Sequence, residues 1–213
     1  MKKIMMLVFS LYFFSFSIYS ITEDDFLNAS IDGNILKIRQ YLKDNGDVNT
    51  RNGSGVTALM FAVMYGNIDV VKKLIDANAD VNLKSYNGIP SIIYATMNGD
   101  VEIVKILIAA KADVNMQDNS GNTALMMATG NQYREIVKQL LQAGAKIDLK
   151  NDDGVTALID LASRGETEKV KILIAAKANV NIKTKNGYTA LKISKQQGHK
   201  EITSLLIQAG AKE

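Results

Sequence analysis

Gly55-Val56-Thr57-Ala58-Leu59 is the stretch that decides the fold of this 213-residue chain, because its pattern returns every 33 residues. The leading glycine recurs as Gly55, Gly88, Gly121, Gly154 and Gly187. The threonine two places later recurs as Thr57, Thr123, Thr156 and Thr189, and Pro90 takes its place in the remaining copy. A sequence repeat of this length predicts a solenoid, in which each unit packs only against its neighbours.

Two further series keep the same interval and define where the units begin and end. The first is Leu74, Leu107, Leu140, Leu173 and Leu206, and the second is Asn49, Asn82, Asn115, Asp148 and Asn181. They divide the chain after its first twenty residues into six repeats, namely 22–50, 51–83, 84–116, 117–149, 150–182 and 183–213. Because a repeat array is stabilised between neighbours, we interpret 21–213 as one elongated domain.

The motifs within one unit resemble those of ankyrin repeats. Repeat two carries G-x-T-A-L from Gly55, A-x-x-x-G-N over 62–67 and A-D-V-N over 79–82, and repeat three adds I-V-K-x-L-I over 103–108. The resemblance covers 22–213. It implies an all-α solenoid in which each repeat has a short β-hairpin, called the finger, followed by two antiparallel helices. It also implies that a partner protein binds along the concave side, which the fingers and first helices form.

Some residues depart from the repeated pattern, and each departure predicts a local feature. Polar residues replace apolar ones at Lys37 in the first repeat and at Ser194 and Thr203 in the last, as expected of capping repeats that lack a neighbour. Pro90 forfeits a side-chain helix cap. Lys111 and Lys177 replace the helix-ending Gly144 and Gly210, so the resemblance implies lysines in left-handed conformation. In repeat four, Gly130-Asn131 comes two places early, with Gln132 at the usual glycine, which predicts a rebuilt helix junction.

The first twenty residues have the layout of a secretory signal peptide. Lys2 and Lys3 precede an apolar run over 4–16, and the small residue Ser20 ends the segment. We therefore predict cleavage after Ser20 and export to the periplasm or the extracellular medium. The alternative is an uncleaved membrane anchor over 4–21, which at 18 residues is barely long enough to span a bilayer. Only in that case do we expect membrane association.

Charge and composition exclude several classes of function. Without the leader the chain has 23 basic and 22 acidic residues, so it lacks the strongly basic character expected of a nucleic-acid-binding domain. The chain has no cysteine, which excludes thiol nucleophiles and cysteine-ligated metals. We expect a monomer that binds another protein, with neither a nucleic-acid partner nor a small-molecule substrate.

Three short patterns invite a chemical interpretation, and each has a simpler one. Residues 53–58 match the dinucleotide-binding G-x-G-x-x-A, but no strand of a βαβ unit precedes them. His199, the only histidine, lies near Glu201 and Ser204, yet it falls where the family commonly has glycine and histidine between helices. Asp152-Asp153 lacks the spacing of an EF-hand loop. The sequence therefore predicts no catalytic residues, no cofactor and no metal, and a metal-dependent enzyme remains a minor alternative.

The binding residues follow from the family's contact positions, which flank the finger glycine and end the first helix. In repeats two and three these are Val56, Met64, Tyr65, Tyr86, Asn87, Ile89 and Met97. In repeats four and five they are Asn119, Ser120, Asn122, Asn131, Asp152, Asp153, Ser163 and Arg164. Tyrosines beside aliphatic side chains are typical of an interface core, so we predict that the partner docks on repeats two and three.

Two alternatives accompany that prediction. The first is structural: Tyr65 and Met97 fold back against the neighbouring helix and merely thicken the core. The second is functional: the same fold acts outside the cell as a secreted effector directed at a host protein. A periplasmic scaffold and a host-directed effector share every sequence feature described above, so both remain open.

Overall fold

The computed structural model describes residues 20–128 and 133–212, and these form a stack of helix pairs. The first helices of the pairs are α1 (Glu23–Asp32), α3 (Ala58–Met64), α5 (Ser91–Asn98), α7 (Ala124–Met127), α9 (Ala157–Arg164) and α11 (Ala190–Gln196). The second helices are α2 (Ile35–Lys43), α4 (Ile68–Asp76), α6 (Val101–Ala109), α8 (Tyr133–Gln142), α10 (Thr167–Ala175) and α12 (Lys200–Gln208). First helices pack on first helices and second on second. The predicted all-α solenoid is confirmed.

The core follows the leucine series that set the register. Leu74, Leu107, Leu140, Leu173 and Leu206 are all fully buried, each in the second helix of its pair. The leucines of the first helices, from Leu59 to Leu191, are buried as well. Truncating such a leucine to alanine costs about 2 to 5 kcal/mol, so this repeated position carries much of the stability of every unit.

The repeated threonine begins each first helix as an N-cap. Thr57 Oγ1 accepts a hydrogen bond from the backbone N–H of Met60 at 3.2 Å, and Thr123, Thr156 and Thr189 cap their helices in the same way. Pro90 makes no side-chain cap for α5, as predicted. Thr22 caps α1 and forms a reciprocal capping box with Asp25.

The residues that follow the second helices include four non-glycine residues in left-handed conformation. Lys111 and Lys177 both have φ of 68°, as predicted. Asn45 and Asn78 occupy the same position in the first two repeats, with φ of 62° and 64°. Asparagine tolerates this region because its short polar side chain can form local hydrogen bonds, whereas lysine has no such compensation.

Each finger is joined to the next by two hydrogen bonds that repeat along the stack. In the first set, the backbone N–H of Tyr86 donates to Ser54 O at 3.0 Å, Asn119 to Asn87 O at 3.3 Å, Asp152 to Ser120 O at 3.0 Å, and Lys185 to Asp153 O at 2.9 Å. In the second set, the side chains of Arg51, Lys84, Gln117 and Lys150 donate to the backbone carbonyl 33 residues later, at 2.6 to 3.3 Å. These bonds fix the spacing of the fingers.

The asparagine series joins consecutive repeats through side-chain hydrogen bonds of its own. Asn115 is representative: its Oδ1 accepts from Lys146 N at 2.7 Å, and its Nδ2 donates to Gly144 O at 3.1 Å. Asn82 and Asn181 make the same pair of bonds. Asp148 keeps only the acceptor role, with Oδ1 2.9 Å from Asn179 N, because a carboxylate has no N–H to donate.

Two sequence predictions fall on residues outside the described ranges. These are the signal peptide, of which only Ser20 is described, and the rebuilt junction around Gly130, Asn131 and Gln132. Just before that junction, α7 has four residues, and Ala128 already has extended backbone angles. Within the described residues, no helix is both long and apolar enough to cross a membrane.

Candidate protein-binding surface

The seven predicted contact residues of repeats two and three form what we call the repeat 2–3 surface: Val56, Met64, Tyr65, Tyr86, Asn87, Ile89 and Met97. Four of them are large apolar residues that remain exposed, by 37% at Met64, 58% at Tyr65, 68% at Tyr86 and 47% at Met97. Asn87 is also exposed, and Val56 and Ile89 are half-buried. Tyr65 and Met97 are therefore accessible rather than part of the core.

Position along the first helix explains this exposure. In α3, Met60 and Val63 are fully buried, whereas Met64 ends the helix and Tyr65 follows it as the C-cap. Met97 lies in the last turn of α5. In α3 and α5 the apolar side of the helix thus continues, at its C-terminal end, into exposed side chains.

Tyr86 reaches the surface from the tip of its finger. Its backbone N–H is bonded to Ser54 O, and its ring lies so close to Gly55 that a Cβ on Gly55 would come within 2.6 Å of the ring carbon Cδ1. Gly55 also has φ of 74°, a conformation that glycine adopts without strain. Two reasons therefore favour glycine at position 55: its positive φ and the close approach of the Tyr86 ring.

A shallow groove of about 670 Å³ extends the surface towards the turns between helices. Met64, Tyr65 and Asn98 are among its lining residues. Asn98 Nδ2 donates to Met64 O at 2.9 Å and to Val63 O at 3.3 Å, which ties the end of α5 to the end of α3. Hydrogen bonds between repeats thus fix the backbone at Met64, which carries one of the exposed apolar side chains.

The corresponding surface of repeats four and five is polar, and some of its groups are already engaged. Asn119 Nδ2 donates to Tyr86 O at 2.9 Å, and its Oδ1 lies against Gly88. Arg164 pairs with Asp160 at 2.9 Å one turn earlier in α9. Asn131 lies outside the described residues. This half is typical of the rim of an interface rather than its centre.

The chemical motifs in the sequence prove to have structural roles. In the glycine-rich turn, Asn52 Oδ1 already accepts from the N–H groups of Ser54 and Val56, at 2.9 and 3.0 Å. A phosphate bound at this turn would need these N–H groups to be free. His199 Nε2 lies 3.2 Å from Ser163 O, to which it donates as the Nε2-protonated tautomer. Its ring rests against Gly165.

The acidic residues considered beside His199 in the sequence have separate surroundings in the structure. Glu201 pairs with Lys171 of the preceding repeat at 3.0 Å. Asp152 and Asp153 lie in the finger-to-finger hydrogen bonds through their backbone atoms, with their side chains exposed. In residues 20–128 and 133–212, no three His, Asp or Glu side chains are arranged to hold a metal ion.

One polar cluster was not predicted as a unit from the sequence. Tyr133 is buried, its hydroxyl has no hydrogen-bond partner among the described residues, and burial raises its pKa above the usual range. Lys169 Nζ lies 5.3 Å from the centre of the Tyr133 ring and 3.3 Å from Glu166. The signal in the sequence was Lys169, a lysine at a position that is Val70, Ile103 and Ile136 in earlier repeats.

The stacked helix pairs, the fingers and the exposed apolar surface define a class of protein, the helical repeat proteins that present an extended binding surface. Models of ankyrin repeats match residues 41–95, 80–151 and 141–213. An ankyrin repeat domain from Acinetobacter baumannii AYE, solved by crystallography, is 32% identical, covers 90% of this chain and 100% of its own, and superposes with a TM-score of 0.82. The chain belongs to the ankyrin repeat family. Comparison with curated proteins finds no match.

Proposed function

We propose that this protein is a non-catalytic scaffold that binds a partner protein through the repeat 2–3 surface. Ankyrin repeats are typically a protein–protein interaction fold. The observation that carries the proposal is the distribution of exposed apolar side chains. Of the large hydrophobic residues exposed in the described ranges, Met64, Tyr65, Tyr86 and Met97 belong to this surface, and the other two, Leu36 and Ile207, lie in the terminal repeats.

The chemistry of the surface favours a protein partner over a small ligand. Tyrosine and methionine are enriched at interface cores, where rigid aromatic rings provide anchors and methionine adapts its shape. Tyr65 and Tyr86 are the anchors in this proposal, because they are the most exposed of the large apolar members and their backbones are fixed by hydrogen bonds. Met64 and Met97 provide adaptable apolar contacts beside them.

We also propose that the protein acts outside the cytoplasm, after removal of residues 1–20. The supporting observation is the order of Lys2, Lys3, the apolar run and Ser20. N-terminal sequencing of the protein from its source cells should give Ile21 as the first residue. A protein that starts at Met1 and stays with membranes after a carbonate wash would instead be a membrane-anchored tether. Recovery from the culture medium rather than the periplasm would favour a host-directed effector.

The test of the binding surface is affinity capture with the full-length chain, tagged at its C-terminus, followed by identification of the partner. Tyr65→Ala and Tyr86→Ala should each weaken binding by about 2 kcal/mol, as truncation of an aromatic anchor does. Circular dichroism and a melting curve should show both variants folded, since both side chains are largely exposed.

The matched control is Leu36→Ala with Ile207→Ala, which removes exposed apolar side chains outside the repeat 2–3 surface. This control should bind the captured partner as tightly as the parent. A folded Tyr65→Ala, Tyr86→Ala protein with unchanged affinity would rule out the proposed surface. Loss of binding in the control as well would indicate that the partner recognises general surface hydrophobicity.

A further inference from the structure

Five asparagines in the chain are followed directly by glycine, namely Asn45, Asn52, Asn87, Asn98 and Asn186. Such a pair can lose its side-chain amide without an enzyme, because the backbone nitrogen of a residue without a side chain can approach the asparagine Cγ. In a folded protein the rate depends on whether that nitrogen is free to attack and on which groups surround the side-chain carbonyl. The five pairs differ in both respects.

The glycine nitrogen is engaged in a hydrogen bond in four of the five pairs. Gly46 N donates to Tyr41 O, Gly88 N to Ser85 O, Gly99 N to Thr96 O and Gly187 N to Thr184 O, over distances of 2.9 to 3.1 Å. Such a bond must break before the nitrogen can attack. Gly53 differs from these four glycines: among the described residues, no group accepts a hydrogen bond from its N–H.

The position of Gly53 in the stack explains why its N–H is free. Tyr86, Asn119, Asp152 and Lys185 hold the same position in the later fingers, and each donates its N–H to the finger before it. The equivalent acceptor for Gly53 is Ile21 O, and no hydrogen bond joins the two. Ile21 leads directly into the capped helix α1 instead of forming a finger. Gly53 is also exposed, so water reaches the pair.

The side-chain carbonyl of Asn52 is held by two backbone donors. Its Oδ1 accepts from Ser54 N at 2.9 Å and from Val56 N at 3.0 Å. The first of these bonds closes a ring that contains Gly53 N, so the side chain is folded over the Asn52–Gly53 peptide bond. When a nucleophile adds to Cγ, negative charge develops on Oδ1, and fixed N–H donors stabilise that charge as in an oxyanion hole. Among the described residues, Oδ1 of the other four asparagines accepts no hydrogen bond.

We propose that the Asn52–Gly53 pair is a site of spontaneous deamidation in the folded protein. Gly53 N passes its proton to water and forms a bond to Asn52 Cγ, the Cγ–Nδ2 bond breaks, and ammonia leaves with a proton taken from water, which gives a cyclic succinimide. Water then opens the succinimide. Its attack at Cγ yields aspartate, and its attack at the main-chain carbonyl carbon yields isoaspartate. Water is consumed and ammonia is released, with no oxidation or reduction.

The two products differ in their effect on the finger. Asp118 holds the same position in repeat four, and its Oδ1 accepts from Ser120 N and Asn122 N, both at 2.8 Å, so aspartate fits this turn. Isoaspartate instead carries the main chain through Cβ and Cγ, which lengthens the finger and disturbs the bond from Asn52 N to Val56 O. Because Val56 belongs to the repeat 2–3 surface, the isoaspartate form should bind the partner about fivefold more weakly, since a loosened finger must be ordered on binding. This consequence, unlike the reaction, rests on the proposed function.

The test is incubation of the full-length chain in water enriched in heavy oxygen, followed by peptide mapping with mass spectrometry. Uptake of heavy oxygen measures deamidation at each of the five pairs, in the folded protein and in urea. The unfolded chain should react at similar rates at all five, because no structure distinguishes them. Folding should slow the four bonded pairs by about fivefold, because their hydrogen bond must break first. Asn52 should be the fastest site in the folded protein.

Two variants isolate the attacking nitrogen. Gly53→Ala should fold normally, because nothing lies within 4 Å of a Cβ at this position, and should slow deamidation of Asn52 about tenfold by crowding the attack. Asp152→Gly creates a matched pair at Asn151, whose Oδ1 has the same two donors, Asp153 N at 3.0 Å and Val155 N at 2.9 Å. There the nitrogen of position 152 is bonded to Ser120 O at 3.0 Å. Asn151 in this variant should therefore react about fivefold more slowly than Asn52.

Three outcomes would overturn the proposal. They are equal rates at the five pairs in the folded protein, a Gly53→Ala protein that reacts at Asn52 like the parent, and faster reaction at Asn151 of Asp152→Gly than at Asn52. The reaction is measured without the partner, so its failure is distinguishable from failure of the repeat 2–3 surface. The effect on binding is measured by comparing the purified isoaspartate form with Asn52→Asp, and equal affinities would disprove that effect.

Discussion

Ser194 Oγ lies 2.9 Å from Thr203 Oγ1, and this contact joins the two helices of the last repeat, α11 and α12. Ser194 donates to Leu191 O, so its oxygen accepts the hydrogen of Thr203. The equivalent residues in repeat two, Ala62 and Val71, are fully buried. A hydrogen-bonded pair thus joins the two helices of repeat six, where the inner repeats use apolar contact.

Deleting one partner of that pair should cost more than replacing both. Ser194→Ala leaves the Thr203 hydroxyl without its acceptor and should lower the free energy of unfolding by about 1 kcal/mol. Adding Thr203→Val should recover most of this loss, because an apolar pair restores the packing of the inner repeats. Urea denaturation of the parent, both single variants and the double variant gives the coupling energy. Strictly additive effects would show that the two hydroxyls do not interact.

Asp148 should be a weak point of the asparagine series. An asparagine there would keep the bond from Asn179 N and could also donate to the carbonyl of Lys177, as Asn115 donates to Gly144 O. Asp148→Asn should therefore raise the free energy of unfolding by about 1 kcal/mol. The matched change, Asn115→Asp, should lower it by a similar amount. The same sign for both substitutions in a denaturation experiment would contradict this account.

Lys177 occupies a conformation that glycine adopts at no steric cost. Its φ is 68°, and Gly144 and Gly210 fill the same position in neighbouring repeats. Lys177→Gly should raise the free energy of unfolding by about 1 kcal/mol, because the strain of a side chain in left-handed conformation disappears. The comparison is Gly144→Lys, which should destabilise by a similar amount. A lower melting temperature for Lys177→Gly would show that the side-chain contacts outweigh the strain.

The sequence predicted most of the fold because the residues that contact neighbouring repeats recur every 33 residues. The leucine series marked residues that prove fully buried, and the threonine series marked the helix caps. The finger-to-finger bonds of Arg51, Lys84, Gln117 and Lys150 were not predicted, although all four are side-chain donors at one repeated position. Their acceptors are backbone carbonyls, which have no sequence signature, and their reach depends on how closely the fingers stack.

The candidate surface was harder to predict from the sequence than the core. Met60 and Met64 are the same residue type four positions apart in α3, yet one is fully buried and the other is 37% exposed. Hydrophobicity alone does not separate them. The contact positions of the family separate Met64 from Met60, because they include the end of the first helix.

Tyr133 should make the protein sensitive to alkaline conditions. Burial raises the pKa of its hydroxyl, and the nearby carboxylates of Asp160 and Glu166 raise it further, with Lys169 over the ring as the neighbouring cation. In the unfolded chain a tyrosine ionises at about pH 10. As the pH rises above that value, the unfolded state releases the proton while the folded state retains it. The stability that this group contributes is therefore present below the unfolded pKa and is lost at higher pH.

Tyr133→Phe removes both the ionisable group and a buried hydroxyl that has no partner among the described residues. At neutral pH the variant should be more stable by about 1 kcal/mol, because an unsatisfied buried polar group is costly. Above pH 10 or so, its free energy of unfolding should fall less steeply than that of the parent. Urea denaturation at pH 7 and at a series of alkaline values measures both effects, and circular dichroism checks that α8 is intact. Parallel alkaline slopes for the two proteins would show that Tyr133 ionises equally in the folded and unfolded states.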